Sequence, residues 1–353
     1  MRVLMLSTVH GVHDHRIYHK EAVSLSKRHN VTVIAIDKSC NCEDVDNNGV
    51  LIRGFDGKIS LRDHIPNCVM ALASSLCYNA DVIHCHEPSS LFIGCIHKFL
   101  QGSKLIYDRH EYYPRLIGEK VKRLFKNNFM TKLAEKVESI AEKVMMVYAD
   151  RIIVVDAEMS EQVRNDAIIH NYPEGLTWKL REGTNFGYVG IINHRKIPES
   201  VKIINELSKH IPEIKYKIAG MAFDRSDLPE DNNNVHYHGV IPHNTIQEFL
   251  ADTSFGFCLY DKKPRYETAR STKTFEYIMS GIPVIASRTV GNQFIEDNSY
   301  GILIDPDNIE ESVRAVLEAI PKCAEYSLNC KNAKFGWEEE ELLSLYESLE
   351  KES

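Results

Sequence analysis

At 353 residues the chain exceeds the usual size of one hydrophobic core, so two domains are expected. Apolar residues make up 43% and charged residues 26%, a globular balance, and no apolar run approaches the ~20 residues a membrane span needs. The formal net charge of −8 argues against a nucleic-acid binder, which needs a basic excess to neutralise phosphates.

Short apolar runs alternate with helical patterns from the start. Strands are expected over residues 2–7, 31–36, 50–55, 82–86, 104–107 and 151–155. Helices are expected over 18–29 and 67–78, and a long helical tract precedes residue 151. A strand beginning this early leaves no place for a signal peptide, and the expected location is cytoplasmic. The nine cysteines, among them Cys40, Cys42 and Cys85, are odd in number and scattered without a Cys-x-x-Cys pair. Reduced thiols are expected, not a structural zinc site. A turn-rich break follows at His170-Asn171-Tyr172-Pro173-Glu174-Gly175, whose proline forces an extended predecessor. A second alternating series covers 185–189, 215–219, 235–238, 255–259, 283–286 and 301–304. The final helix, 338–349, is acidic and apolar by turns. The fold class is therefore read as α/β, with two Rossmann-like doubly wound domains, 1–171 and 172–335, facing a cleft. Residues 336–353 form a terminal helix that could return to pack on the first domain.

Doubly wound sheets bind ligands beyond the carboxyl ends of their strands, so chemistry is sought there. After the first strand stands His10-Gly11-Val12-His13-Asp14-His15-Arg16. Gly11 permits close backbone approach, and Asp14 is placed to cap the next helix. So many His, Asp and Arg residues exceed what a cap requires. After the strand at 82 comes His84-Cys85-His86-Glu87-Pro88. Strand alternation puts both imidazoles on one face, which could begin a metal site, but no third or fourth ligand is evident and no metal is expected. Asp108-Arg109-His110-Glu111 ends the strand at 104. It reads either as a polar site or as a plain exit loop. Asp44-Val45-Asp46 and Asp305-Pro306-Asp307 match the Asp-x-Asp signature of metal-dependent transferases. Such short matches arise by chance in an acidic chain.

From Arg115 to Lys132 six basic residues (Arg115, Lys120, Lys122, Arg123, Lys126, Lys132) face one acid, Glu119. Val121, Leu124, Phe125, Phe129 and Leu133 recur at helical spacing on the other face. Such a basic amphipathic helix can lie on an anionic membrane, or its stripe can pack on its own domain.

In the second half, Gly187-Tyr188-Val189-Gly190 leads to Arg195 and Lys196, and His238-Gly239 leads to Val240 and Ile241. Ser271-Thr272 precedes a short helix carrying Lys273 and Glu276, which stops at Gly281 before a buried strand. A helix entered from a polar loop offers unpaired N–H groups and a positive dipole end to a phosphate. Lys273 adds a point charge, and Glu276, one turn in, can accept hydrogen bonds from a diol such as a ribose.

The run Lys273-x-Phe275-Glu276-Tyr277-x-x-x-Gly281-x-Pro283-Val284-Ile285-Ala286 resembles the donor-binding element of retaining GT-B glycosyltransferases. His13-Asp14-x-Arg16-Ile17, followed by Lys20-Glu21-Ala22, resembles the opening of a subgroup of the family-4-type enzymes, glycosyl transferases group 1. The resemblance extends over essentially the whole chain. It implies GT-B architecture and a hexosyltransferase-type enzyme that works without metal or cofactor. Sugar would move from a nucleotide-diphosphate donor to a glycan or lipid-linked acceptor, in cell-surface polysaccharide or glycoconjugate synthesis. By the same likeness Val240 and Ile241 flank the base and Glu276 binds the ribose. Arg195, Lys196, Lys273 and the amides around Ser271 and Thr272 hold the diphosphate, with Gly11 close to the donor. His110 contacts the donor sugar, and His13, Asp14, Arg16, His86 and Glu87 face the acceptor. Catalysis would rest on His110, Lys196, Lys273 and Glu276.

Two positions depart from the pattern. Ile191 stands where relatives carry an arginine. Thr268 stands where they carry the first of two glutamates, with Glu267 one residue out of register. No carboxylate nucleophile is evident, so same-face attack is expected, the departing phosphate oxygen taking the acceptor proton. The rival readings are a sugar-nucleotide 2-epimerase of GT-B fold, which would need no acceptor loop, and a non-catalytic sugar-nucleotide-binding protein, which need not keep His110. A nicotinamide enzyme would need a Gly-x-Gly-x-x-Gly fingerprint, and none is present.

Overall fold

The first alternating series folds as β1 (Arg2–Gly11), α1 (His15–Ala22 continued by Val23–Ser26), β2 (Asn30–Ile36), β3 (Glu43–Val45) and β4 (Leu51–Phe55). It goes on through α2 (His64–Ser75), β5 (Val82–Cys85), α3 (Pro88–Gln101), β6 (Lys104–Arg109), α4 (Tyr113–Phe125) and α5 (Asn128–Met146), then β7 (Arg151–Val154), α6 (Ala157–Gln162) and β8 (Ala167–Ile168). The second series is β9 (Asn185–Val189), α7 (Ile197–Leu207), β10 (Lys215–Ala219), β11 (Val235–Tyr237), α8 (Ile246–Phe249) and β12 (Phe255–Cys258). It ends with α9 (Thr272–Met279), β13 (Val284–Ser287), α10 (Gln293–Asp297), β14 (Gly301–Ile304), α11 (Ile309–Ala319) and α12 (Cys323–Cys330), after which α13 (Glu339–Glu350) closes the chain. This computed structural model describes residues 1–37, 43–57, 63–223, 228–229, 231–242, 245–263 and 266–352. Cys40, Cys42 and the side chain of Arg123 lie outside the described residues.

The chain divides into two units, Met1–Asn171 with Trp337–Ser353, and Tyr172–Gly336. The first holds an eight-stranded sheet in the order β3-β4-β2-β1-β5-β6-β7-β8, parallel except for the β3–β4 pair. The second holds a six-stranded parallel sheet, β11-β10-β9-β12-β13-β14. Strand order reverses between β1 and β5 in one sheet and between β9 and β12 in the other. These are the topological switch points where doubly wound sheets bind ligands. β5, β12 and β13 are buried along their whole length, as parallel strands covered on both faces must be. Helix α13 belongs to the first unit, where Leu342, Leu345, Tyr346 and Leu349 join the core formed by Met5, Val82 and Ile106.

Among the differences from the sequence expectation, two have a clear physical cause. The first helix starts at His15 rather than 18, because the Asp14 carboxylate accepts the backbone N–H groups of Arg16 and Ile17 and nucleates it early. The stretch from Arg115 to Lys132 is not one helix but two. Lys126 adopts the left-handed conformation at φ 48°, which ends α4, and the Asn127 side chain accepts from Phe129 and Met130 N–H to start α5.

Candidate functional site

In the second unit, α9 is held across the carboxyl ends of β9 and β12. The Thr274 hydroxyl donates to Cys258 Sγ at 3.1 Å, and Val189 N–H donates to the Tyr277 hydroxyl at 3.3 Å. Ser271 is the N-cap of α9 but makes no side-chain cap bond, so the first N–H groups of the helix have no capping acceptor from it. Lys273 projects from this first turn over Gly190. A Cβ there would lie 1.9 Å from Lys273 Cε and 2.4 Å from Nζ, and Gly190 has φ 141°, so only glycine lets the lysine pass.

Lys273 has no ion pair or hydrogen bond from its ammonium among the described residues. Burial holds its pKa below the usual lysine value, Arg195 pushes in the same direction, and Glu276 opposes both. Arg195 stacks on Tyr260, its guanidinium 4.5 Å from the ring centroid, with Tyr266 at 5.9 Å. Its Nη1 is buried without a partner. No acidic side chain pairs with Arg195 among the described residues. Two cations thus share one strand end with no carboxylate in contact, an arrangement that favours an anion.

Lys196, expected beside them, differs from Arg195 in having carboxylate partners of its own. It is the left-handed N-cap residue of α7, and its ammonium binds Asp307 at 2.7 Å and Glu199 at 3.2 Å. Its charge is answered inside the protein, and Arg195 is the residue set next to Lys273. Glu276 is half-buried on α9 one turn beyond Ser271–Thr272, and its carboxylate has no partner among the described residues. Val240 is exposed after β11, and Ile241 lines a groove of about 490 Å³ with His238 and Phe249. A second cavity, about 610 Å³, opens beyond β12, β13 and β14. It is lined by Tyr260, Tyr266, Glu267 and Arg288, so it adjoins the aromatic support of Arg195. Tyr260 and Tyr266 escaped the sequence reading, because aromatic residues in a loop carry no periodic signal.

The switch point of the first unit is polar and closed. Arg16 reaches Asp108 with two bonds, Nε to Oδ2 at 2.7 Å and Nη2 to Oδ1 at 3.1 Å, and its Nε lies 3.0 Å from Glu21 Oε1. His86 Nδ1 lies 3.6 Å from Glu21 and 3.5 Å from Asp108. His84 stacks on His86 at 4.6 Å, and its Nδ1 meets the Tyr346 hydroxyl of α13 at 2.9 Å. All six side chains are buried. Arg16, His86 and Glu87, expected to face an acceptor, therefore form the floor beneath the surface. Glu87 is the N-cap of α3, where it accepts from the Thr8 hydroxyl at 2.9 Å and the Ser7 hydroxyl at 3.2 Å.

Above this floor the structure brings together His10, Asp14 and His110. His10 Nδ1 is 3.1 Å from Asp14 Oδ2, and the His10 and His110 rings are 5.5 Å apart. His110 Nδ1 lies 3.4 Å from Asp108 and its Nε2 lies 3.4 Å from the Tyr113 hydroxyl. Burial opposes the charge on Asp14. The His10 bond and two helical N–H groups nonetheless hold its carboxyl well below the ordinary range. His13 is exposed beside Tyr18, and Gly11 ends β1.

Glu21, His84, His86 and Asp108 bring four ligand atoms within 4.8 Å of one another, supplying the third and fourth positions that the sequence left open. These residue types suit a divalent cation. The guanidinium of Arg16 already occupies the carboxylates, however, and a dication would face it at close range. Burial, with Asp108 beside it, raises the Glu21 pKa well above the ordinary value. Burial also opposes the charge on Asp108, but Arg16 holds that carboxyl well below its ordinary range. Burial lowers the pKa of both His84 and His86. These directions favour a proton on Glu21, which would leave one guanidinium facing one carboxylate.

With the geometry in place, comparisons with known proteins give a consistent picture. Residues 15–171 match the model Glycosyltransferase Family 4, and residues 191–335 match the model Glucosyltransferase 3-like, C-terminal domain. Sucrose-phosphate synthase from Thermosynechococcus elongatus superposes with a TM-score of 0.72 at 16% identity, covering 100% of this chain and 99% of that one. Anabaena HepE in complex with UDP-glucose gives 0.67 at 14% identity, with 99% of each chain covered. TarM gives 0.56 at 18% identity over 87% of this chain and 63% of that one. At these identities the likeness establishes the fold, two Rossmann-like domains of GT-B type. No match was found among curated proteins. The chain is a glycosyltransferase of GT-B type whose first half matches the Family 4 model, as its motifs implied.

Proposed function

We propose that this GT-B glycosyltransferase moves a hexosyl group, with retention of configuration, from a nucleoside diphosphate sugar to a glycan or lipid-linked acceptor. The observation that carries the reading is the pair Arg195 and Lys273, two cations beside an uncapped helix terminus with no acid of their own among the described residues. A diphosphate supplies the missing negative charge. HepE has been captured with UDP and with UDP-glucose, and a TarM variant with UDP and alpha-GlcNAc-glycerol, so a uridine donor is assigned. Glu276 takes the ribose diol, and Val240 and Ile241 border the base. Glu267, in the cavity beside Tyr266, is assigned to the sugar hydroxyls in place of the absent glutamate at Thr268.

In the reaction the bond between the anomeric carbon and the diphosphate oxygen breaks, and negative charge grows on the departing phosphate. Arg195, Lys273 and the α9 amides stabilise that charge as it develops. The acceptor oxygen bonds to the same face of the oxocarbenium-like carbon, and its proton passes to a departing phosphate oxygen. His110 is assigned to the donor sugar, and His13 and Asp14 to the acceptor side. No metal enters this scheme. With a lipid-linked acceptor the enzyme would work at the cytoplasmic membrane surface, in polysaccharide or glycoconjugate synthesis.

The test is a screen of nucleotide sugars for hydrolysis or transfer, read by mass spectrometry with EDTA present. Turnover of a UDP-hexose in EDTA is the expected result. Turnover only after a divalent ion is restored would overturn the metal-free scheme, and binding of every donor without turnover would leave a sugar-nucleotide-binding protein.

A further inference from the structure

The α4–α5 hairpin contrasts with the rest of a chain whose net charge is −8. Arg115, Lys120, Lys122 and Lys126 are exposed along α4 and its end, and Lys132, Lys136 and Lys143 along α5. No acidic side chain of the two helices is exposed. Glu119, Glu135 and Glu138 are half-buried, and Glu142 is buried against Arg109, Oε1 to Nε at 2.8 Å. The face of α5 that carries Glu142 and Met146 is thereby turned into the protein.

Its opposite face carries an apolar stripe. Leu133, Val137, Ile140, Val144 and Val147 follow one another at alternating spacings of four and three, and each is 46–75% exposed. At the hairpin tip Leu124, Phe125 and Phe129 are exposed by 59%, 62% and 73%. The stripe that could have packed on its own domain does not. Lys136 and Lys143 stand three residues beyond Leu133 and Ile140, about 60° round the helix, so a row of cations borders the apolar stripe. Lysine stems can lie along such a surface while their ammonium groups reach outward.

The geometry points to an anionic lipid bilayer as the occupant of this face. The tip places two phenylalanines at the acyl boundary, the α5 stripe lies along it, and the lysine row meets the phosphates of the headgroups. A second copy of the chain is disfavoured, because pairing these faces would bring two lysine rows together. The inference rests on the proposed glycosyl transfer only for its benefit, access to a lipid-linked acceptor. The docking itself rests on charge and exposure.

The full chain should float with vesicles containing phosphatidylglycerol and stay in solution with phosphatidylcholine alone. Each cation near the surface is worth about fivefold in partitioning at low salt. The triple variant Lys132→Glu, Lys136→Glu, Lys143→Glu should therefore lose at least about a hundredfold. Phe129→Ser with Ile140→Asp should remove the fraction that resists high salt. Failure to bind phosphatidylglycerol vesicles at low salt, equal binding to neutral vesicles, or self-association in velocity sedimentation that the triple variant abolishes would each overturn the proposal. UDP-hexose hydrolysis without vesicles should be the same in all variants. Hydrolysis without docking strikes this inference alone, and docking without hydrolysis strikes only the functional reading.

Discussion

In the first unit Arg16 lies between Asp108 and Glu21, and its charge is answered by residues of the same fold. In the second unit Arg195 and Lys273 lie together with no acid in contact among the described residues, and Glu276 further along α9 acts at a distance. Both centres sit at the switch point of a doubly wound sheet, yet one is closed and self-neutral while the other holds uncompensated positive charge. The difference separates what the two polar centres do. A buried ion pair is kept because breaking it is costly, whereas an unanswered cation is left able to take an anion.

The comparison can be broken most forcefully at Arg16. Arg16→Met should cost about 3–5 kcal/mol of stability at pH 7, because it leaves Asp108 buried without a counter-charge. Asp108 would then have to take up a proton, whose cost falls as the pH approaches the ordinary carboxylate value of about 3.9. Chemical denaturation should thus show a larger loss at pH 7 than at pH 5. A loss below about 1 kcal/mol at pH 7, a surface-pair value, would mean that the pair is not the keystone described.

Lys273→Met tests the other side. Turnover should fall by about 10²–10³-fold, as for other donors aimed at developing charge. Stability should hold or rise, since an unpaired half-buried cation is removed. A fall in both would assign Lys273 a structural role like that of Arg16.

Glu276→Ala should weaken UDP-sugar binding by about 1.5–3 kcal/mol, the range for hydrogen bonds to a charged group, with little change in melting temperature. Unchanged affinity by calorimetry would remove the ribose from this residue.

The smallest effect is expected at Glu21. If its carboxyl is neutral, Glu21→Gln replaces an acid by a near-isostere and costs less than about 1 kcal/mol. The sign of its pH dependence follows from the raised pKa of the folded state. In the wild type the contribution is fully present below the unfolded value of about 4.3 and is lost as pH rises toward the folded value. The glutamine variant should lack that slope above the ordinary carboxylate range. Loss of several kcal/mol, together with one equivalent of divalent metal in the wild type by elemental analysis, would show that a cation and not a proton completes the cluster.

Much of the second unit was legible from the chain. The expected strands at 255–259 and 283–286 overlap β12 and β13, because a parallel strand covered on both faces is a short continuous apolar run. The local layout of the Ser271–Ser287 element was legible for a related reason. Cap, lysine, glutamate, glycine stop and strand are contiguous, so sequence spacing is spatial spacing from Ser271 to Ser287. The break of the basic helix at Lys126 was not legible, because the left-handed residue there is a lysine and not the glycine that usually marks such a stop.

What sequence determined, then, were the features set by neighbours along the chain: the order of the elements and the polar residues that follow the strands, His110 among them. Tertiary structure alone decided which charges are satisfied. Arg16 finds Asp108 across 92 positions, His84 finds Tyr346 across 262, and Lys196 finds Asp307 across 111. A charge is spent or free according to what lies within a few ångströms of it, and linear spacing does not encode that distance.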